Sequence, residues 1–225
     1  MKQKMNLPNK LSLLRLCLVP IILIAGLVTP KYSVTEAPGI AFYISSAVCA
    51  MLFIAAAITD MLDGKIARKQ GLITDFGKFI DPIADKFMVI GALFVLLFKF
   101  GGVEGFEYFE YIMIATLIIV VFRELAITSI RLVASNSSSV VLAAQMLGKI
   151  KTVAQIIAIA TVFLEPVAQW IVKLIAEAIK GETIATWRYD ILPLTWISLA
   201  FSLVMTVWSG ISYIKDYWKY LDPEK

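Results

Sequence analysis

Apolar residues in this chain fall into runs too long for the buried stripe of a globular helix, separated by short polar stretches. Six runs, at residues 11–29, 40–64, 79–100, 108–133, 141–164 and 191–213, are long enough to cross a hydrocarbon layer of roughly 30 Å as α-helices. The expected fold class is therefore all-α: a polytopic membrane protein with six transmembrane helices plus short interfacial helices. From Val167 to Lys180, Trp170, Ile171, Leu174, Ile175 and Ile179 alternate with Gln169, Lys173, Glu177 and Lys180, the pattern of a helix lying in the outer interface. The opening Asn6-Leu7-Pro8-Asn9-Lys10 with Leu11, Leu13 and Leu14 reads as its cytoplasmic counterpart. The first run lacks a small-residue cleavage site and continues to the Thr29-Pro30 turn, so it is expected to stay as an anchor. Ser135 to Ser139 reads as a short flexible loop, and Pro82, which has no amide proton to donate, predicts that the third helix begins close to residue 80. With no repeat and no long linker, residues 1–225 form one membrane domain.

Composition and charge fix the setting. Hydrophobic residues make up 60% of the chain, and the mean hydropathy is +0.82, far above a soluble domain. Lys2, Lys4, Lys10 and Arg15 flank or enter the first run; Lys65, Arg68, Lys69 and Lys78 lie between the second and third; Arg131, Lys149 and Lys151 flank the connection between the fourth and fifth. The opposite connections carry Lys31 with Glu36, then Glu104, Glu107 and Glu110, then a balanced mixture. The positive-inside rule therefore puts both termini and the basic loops in the cytoplasm, with the chain as a multi-pass protein of the cell membrane. Histidine is absent, and Cys17 and Cys49 both sit in apolar runs with no CxxC pair. That removes imidazole bases, HExxH sites and cysteine zinc sites, and it makes a structural disulfide unexpected. Any bound metal would be held mostly by oxygen. No nucleic-acid partner is expected.

Four carboxylates, Asp60, Asp63, Asp81 and Asp85, interrupt this apolar pattern. A charge at the centre of a helix in lipid costs about 2.5 to 3.5 kcal/mol even on the lenient insertion scale, so four need partners, position or bound cations. Residues three or four apart share a helix face. Asp60, Asp63, Gly64 and Ala67 thus form one stripe, and Gly77, Asp81 and Asp85 another. Converging carboxylates without a cation would repel, while oxygen ligation suits magnesium or manganese, commonly in pairs for phosphoryl chemistry. Two other readings use the same acids: an ion or proton pathway in a secondary transporter, and ion pairs of Asp60 or Asp63 with Lys65, Arg68 or Lys78 at the water interface. Transporters often reveal inverted repeats and interrupted helices near the midplane; here no repeat is seen and the acids cluster toward one face.

The full spacing is Asp60-x2-Asp63-Gly64-x2-Ala67-Arg68-x8-Gly77-x3-Asp81-x3-Asp85. It resembles the signature of the CDP-alcohol phosphotransferase family at all eight positions. The resemblance implies transfer of a phosphatidyl group from a CDP-linked lipid to an alcohol, with release of CMP, two divalent metal ions (Mg2+ or Mn2+) as cofactors, and commonly a homodimer formed through the spans. Carried onto this chain, it implies that Asp60, Asp63 and Asp81 hold one metal and Asp60, Asp81 and Asp85 the second. Asp85 is then the general base, and Gly64, Ala67 and Arg68 join Asp60 and Asp63 in binding the CDP-lipid.

Two further stretches are similar to the branch of that family that makes phosphatidylglycerol phosphate. One is Asn6-Leu7-Pro8-Asn9-x-Leu11-Ser12-x2-Arg15; the other runs from Phe122-Arg123-Glu124 through Arg131 to Gly148-Lys149-Ile150-Lys151-Thr152-x2-Gln155. The partners this implies are CDP-diacylglycerol, glycerol 3-phosphate and membrane lipids, with Arg123, Arg131, Lys149 and Lys151 as a clamp for the acceptor phosphate. Against the clamp stands the plainer expectation that Lys149 and Lys151 anchor a helix end and that Arg123 pairs with Glu124. The same chemistry with serine, inositol phosphate or a second lipid as acceptor is the nearest alternative.

Overall fold

The computed structural model of the chain describes residues 6–33, 38–70, 74–137, 146–181 and 192–218, and within them the only extended regular elements are α-helices. These are α1 (Leu7–Leu27), α2 (Ile40–Gln70), α3 (Asp75–Phe100), α4 (Glu107–Ser137), α5 (Met146–Lys180) and α6 (Pro193–Tyr217). All but α3 are long and apolar enough to cross a membrane. α3 has the length, but Asp81, Asp85, Lys86 and Lys99 interrupt its apolar sequence. The chain is thus a helical multi-pass membrane protein.

Its polarity is distributed inside out relative to a soluble protein. Ile24, Met51, Phe122, Leu125 and Ile197 face outward, while Arg15, Lys99, Lys151, Gln155, Glu165 and Thr206 are buried. Lipid tails are as apolar as leucine, so hydrophobicity alone does not drive one such helix onto another. Close packing and interhelical hydrogen bonds do. Gln155 of α5 accordingly donates to Thr206 of α6 at 3.2 Å. α1 lies against α3 and α2, α5 against α6 and α2, and α4 against α3 and α6. α1 and α3 run parallel and close: a Cβ added at Gly91 of α3 would come within 2.9 Å of Val19 Cγ1 of α1.

The end of the bundle away from the aspartates is locked by aromatic packing. Tyr32 meets Phe42, Phe100 and Phe106, with the Phe100 ring centre at 4.9 Å, and Phe109 packs edge-on against Trp196. The buried Lys99 donates to Thr29 Oγ1 at 3.0 Å and Ser45 Oγ at 2.6 Å, and its ammonium lies 4.5 Å from the Phe42 ring centre. Glu165, unremarked in the sequence, accepts from the Leu194 and Thr195 amides at 3.0 and 2.6 Å. A carboxylate on α5 thereby satisfies the amides that α6 leaves open at its N-terminus.

Several boundaries differ from the sequence expectation. α3 begins at Asp75, not near residue 80, because Thr74 caps it, its hydroxyl accepting from the Gly77 amide at 3.1 Å. Pro82 is carried inside the helix. Residues 167–180 are not a separate helix: α5 continues through Pro166, because Val167 and Trp170 pack on the core and Trp170 stacks on Tyr43 of α2 at 4.8 Å. Only beyond them do Leu174, Ile175 and Ile179 turn outward. Residues 6–14 likewise show no break from the first span, since α1 is continuous from Leu7. α4 extends through Ser137, so Ser135 to Ser137 are helical. Residues 138–139, 141–145 and 191 of the expected loop and spans lie outside the described residues.

Candidate active site

Helical periodicity puts Asp60 in the second half of α2 and Asp81 and Asp85 one turn apart on α3; tertiary packing then sets them around a buried cation. That cation is Arg15 of α1, whose side chain has no solvent exposure while the side chains of Asp60, Asp81 and Asp85 are 36%, 48% and 47% exposed. Arg15 Nη1 donates to Oδ1 of both Asp60 and Asp85. Its Nη2 lies 3.9 Å from Asp81 Oδ1, and Ser12 donates to that same oxygen. The guanidinium forms a floor, and the half-exposed carboxylates form walls that a ligand can reach from outside.

The donor set is suited to a hard divalent cation, being all oxygen and already arranged around positive charge. Among the described residues no three carboxylates enclose an ion by themselves; the guanidinium lies between them. The remaining signature positions, Asp63, Gly64, Ala67 and Arg68, are on the last turns of α2, which continues to Gln70. Their backbone keeps the expected helical face, and their side chains lie outside the described residues.

Gly77 of the signature has a packing reason of its own. A Cβ there would come 2.9 Å from Asn9 Oδ1 and 3.3 Å from Thr74 Oγ1. Asn9 Nδ2 in turn donates to Thr74 Oγ1 at 2.9 Å. The start of α1 is therefore tied to the cap of α3, next to the carboxylates. Gly77→Ala is expected to destabilise the protein by about 1 kcal/mol, the cost of displacing the buried, hydrogen-bonded Asn9 side chain less what alanine gains over glycine in a helix. Gly39→Ala, where a Cβ meets nothing within 4 Å, is the control expected to stay near neutral. Thermal unfolding in detergent compares them, and equal midpoints would remove the packing role of Gly77.

The four basic residues expected to form a clamp separate into three settings. Arg123 and Lys151 meet on the carboxylate of Glu124: Arg123 Nη1 lies 3.1 Å from Glu124 Oε1, and Lys151 donates to the same oxygen. Arg123 also donates to Ser209 of α6 at 3.3 Å, and Gly210 leaves room for its stem, since a Cβ there would sit 3.3 Å from Arg123 Cγ. Arg131, two turns further along α4, donates to the Tyr213 hydroxyl at 3.0 Å and lies over that ring. Lys149 lines a shallow apolar groove with Ile150, Val153, Ile157 and Phe201 on the outer side of α5 and α6.

Sequence reasoning missed Lys86. It follows Asp85 directly and donates to Thr128 of α4, whose hydroxyl is bonded back to the Glu124 carbonyl at 2.7 Å. It also missed the roles of Ser12 and Arg15. Their three-residue spacing and presence in the opening motif were the available signal; nothing in that spacing says which side of α1 faces inward.

A helical multi-pass membrane protein that draws three acidic side chains from two helices around a buried arginine of a third defines the class of protein: a membrane protein with a charged site set among its helices. The family model described as CDP-alcohol phosphatidyltransferase matches residues 5–208, and the chain belongs to that family. It is an enzyme of phospholipid biosynthesis, which replaces the transporter reading. It is 42% identical over 159 residues to the CDP-diacylglycerol--glycerol-3-phosphate 3-phosphatidyltransferase of Bacillus subtilis (strain 168), covering 71% of this chain and 77% of that protein. The protein of the same name from Rickettsia felis is 32% identical over 220 residues, covering 96% of this chain and 97% of its own length. A cardiolipin synthase (CMP-forming) of Oryza sativa subsp. japonica is 29% identical over 221 residues, covering 96% of this chain and 59% of that protein.

Proposed function

We propose that this enzyme transfers the phosphatidyl group of CDP-diacylglycerol to sn-glycerol 3-phosphate, giving phosphatidylglycerol phosphate and CMP. The observation that carries the reading is the convergence of the signature carboxylates Asp60, Asp81 and Asp85 on α2 and α3, linked through Lys86 and Thr128 to a second cluster, Arg123 and Lys151 on Glu124, on α4 and α5. Relatives named for this donor and acceptor support it.

Asp60, Asp63, Asp81 and Asp85 hold two divalent ions, Mg2+ or Mn2+, which when bound neutralise charge on the donor diphosphate. Gly64 and Ala67 admit the nucleotide closely, and Arg68 presents its planar fork of donors to phosphate oxygens. Asp85 takes the proton from the acceptor hydroxyl. That oxygen bonds to the lipid-side phosphorus as the bond from this phosphorus to the CMP oxygen breaks, and no covalent enzyme intermediate is needed. Arg123 and Lys151 hold the acceptor phosphate, with Arg131 and Lys149 at the edges of the site. All six helices cross the cell membrane, α3 included, and the end of α5 beyond Trp170 lies at the outer interface. Both termini and the active site face the cytoplasm, and two copies pair as a homodimer through their spans.

Kinetics with each substrate varied separately tests the acceptor. Removing one charge-assisted phosphate contact costs roughly 1.5 to 3 kcal/mol, or about ten- to a hundredfold in acceptor kcat/KM. Arg123→Ala and Lys151→Ala are expected to show that loss with little change in donor efficiency, and Lys149→Ala and Arg131→Ala a smaller one. Normal acceptor efficiency in both of the first pair, or a parent enzyme that prefers free serine or inositol phosphate, overturns the acceptor. A second reading, a lipid alcohol as acceptor, is favoured by the similarity to the rice protein. An acceptor panel with CDP-diacylglycerol separates the two.

A further inference from the structure

We propose that Arg15 is the resident counter-ion of the active-site carboxylates: it holds Asp60, Asp81 and Asp85 together in the metal-free enzyme and opposes metal binding, so that the divalent ions enter against a built-in positive charge. The inference rests on the metal-binding role assigned above to these aspartates and concerns a residue outside the signature.

The geometry carries it. Arg15 is fully buried, and its guanidinium reaches all three carboxylates. Three carboxylates, from two other helices, surround this one buried arginine. Three carboxylates drawn together would repel without positive charge among them, and burial makes that repulsion stronger than in water. Arg15 brings one positive charge to these three carboxylates, so removing it leaves the cluster more anionic by one charge and more attractive to a divalent cation. Because the carboxylates are half-exposed and Arg15 is not, incoming cations approach from the side opposite the guanidinium. Each added positive charge then weakens the hold of Arg15 on oxygens it shares. α1 is thereby latched to α2 and α3 most firmly before the metals arrive, and Arg15 acts as a positioning residue through the aspartates.

The sign of one change separates this from a purely structural role. A scaffold residue, once removed, loosens the site and weakens metal binding. A resident counter-ion, once removed, leaves a more anionic site that binds metal more tightly, although the metal-free protein is less stable. The parent, Arg15→Gln and Arg15→Lys are purified in detergent, and Mn2+ binding is followed by the paramagnetic resonance of free Mn2+, with thermal midpoints measured in EDTA and in saturating Mn2+. Arg15→Gln is expected to bind Mn2+ about tenfold more tightly or better, as the loss of a unit charge within a few ångströms of a divalent ion implies. It is also expected to unfold at lower temperature in EDTA and to show a larger Mn2+-induced rise than the parent. Arg15→Lys, which keeps the charge but gives up one of the shared contacts, should lie between the parent and Arg15→Gln in affinity. Weaker or unchanged Mn2+ binding by Arg15→Gln, with no larger stabilisation, overturns the inference. If Arg15→Gln can be recovered only in the presence of Mn2+, the metal is replacing the missing cation and the inference is supported. If it cannot be recovered at all, Arg15→Lys decides: its shorter side chain gives up one of the shared contacts, so a larger Mn2+-induced rise than the parent's supports the inference and an equal one overturns it. A parent protein that binds no Mn2+ removes the metal reading itself, an outcome distinct from a parent that binds and a Gln variant that binds no better.

Discussion

Asp85→Asn is expected to lower turnover by roughly a hundred- to ten-thousandfold, the range contributed by a well-placed general base, while binding of CDP-diacylglycerol changes much less. Asp85 is on α3 one turn beyond Asp81, half-exposed, and held on one side by Arg15. Its accessible side is where an acceptor hydroxyl can approach. Directly after it, Lys86 reaches across to α4 and toward the Glu124 cluster, so the proposed base and the proposed acceptor clamp are joined by adjacent residues of one helix. Asparagine keeps an oxygen donor and the side chain's volume but cannot take a proton. The measurement is single-turnover CMP release with donor pre-bound, beside equilibrium binding of the donor. Comparable turnover by variant and parent would remove Asp85 from the base role, and lost donor binding would make it a ligand first.

Chelation is expected to abolish CMP release, and added Mg2+ or Mn2+ to restore it. The donor diphosphate and the carboxylates are all anionic, and within the described part of the site Arg15 is the one cation in contact with the aspartates. Bringing a diphosphate against Asp60, Asp81 and Asp85 without further positive charge would set like charges together in a partly water-excluded cleft. Stopped assays in EDTA, followed by titration back with each metal, give the dependence directly. Full activity in a rigorously metal-free preparation would falsify the two-metal mechanism while leaving the family assignment intact.

The sequence by itself determined that the chain is a bundle of membrane helices, because runs of about twenty apolar residues have no other stable home. It also determined which carboxylates share a face, because α-helical periodicity follows from spacing alone: Asp60 with Asp63, and Gly77 with Asp81 and Asp85. Boundaries were less legible. Thr74 caps α3 so that it begins at Asp75, five residues ahead of the start near residue 80 expected from Pro82, and Trp170 keeps α5 in the bundle by stacking on Tyr43, contacts that local sequence does not contain. What only the tertiary structure decided is which charge meets which. Arg15 reads as an ordinary cytoplasmic anchor until α1 packs parallel to α3 and turns it under three carboxylates. Arg123 and Lys151 come together on Glu124, while Arg131 goes to Tyr213 and Lys149 to an outer groove, although in the sequence all four are simply basic residues of the fourth and fifth spans. The physical reason is that periodicity fixes a side chain's direction only relative to its own helix. The rotation of one helix against another is set by interhelical packing and by the need to satisfy every buried polar group at once.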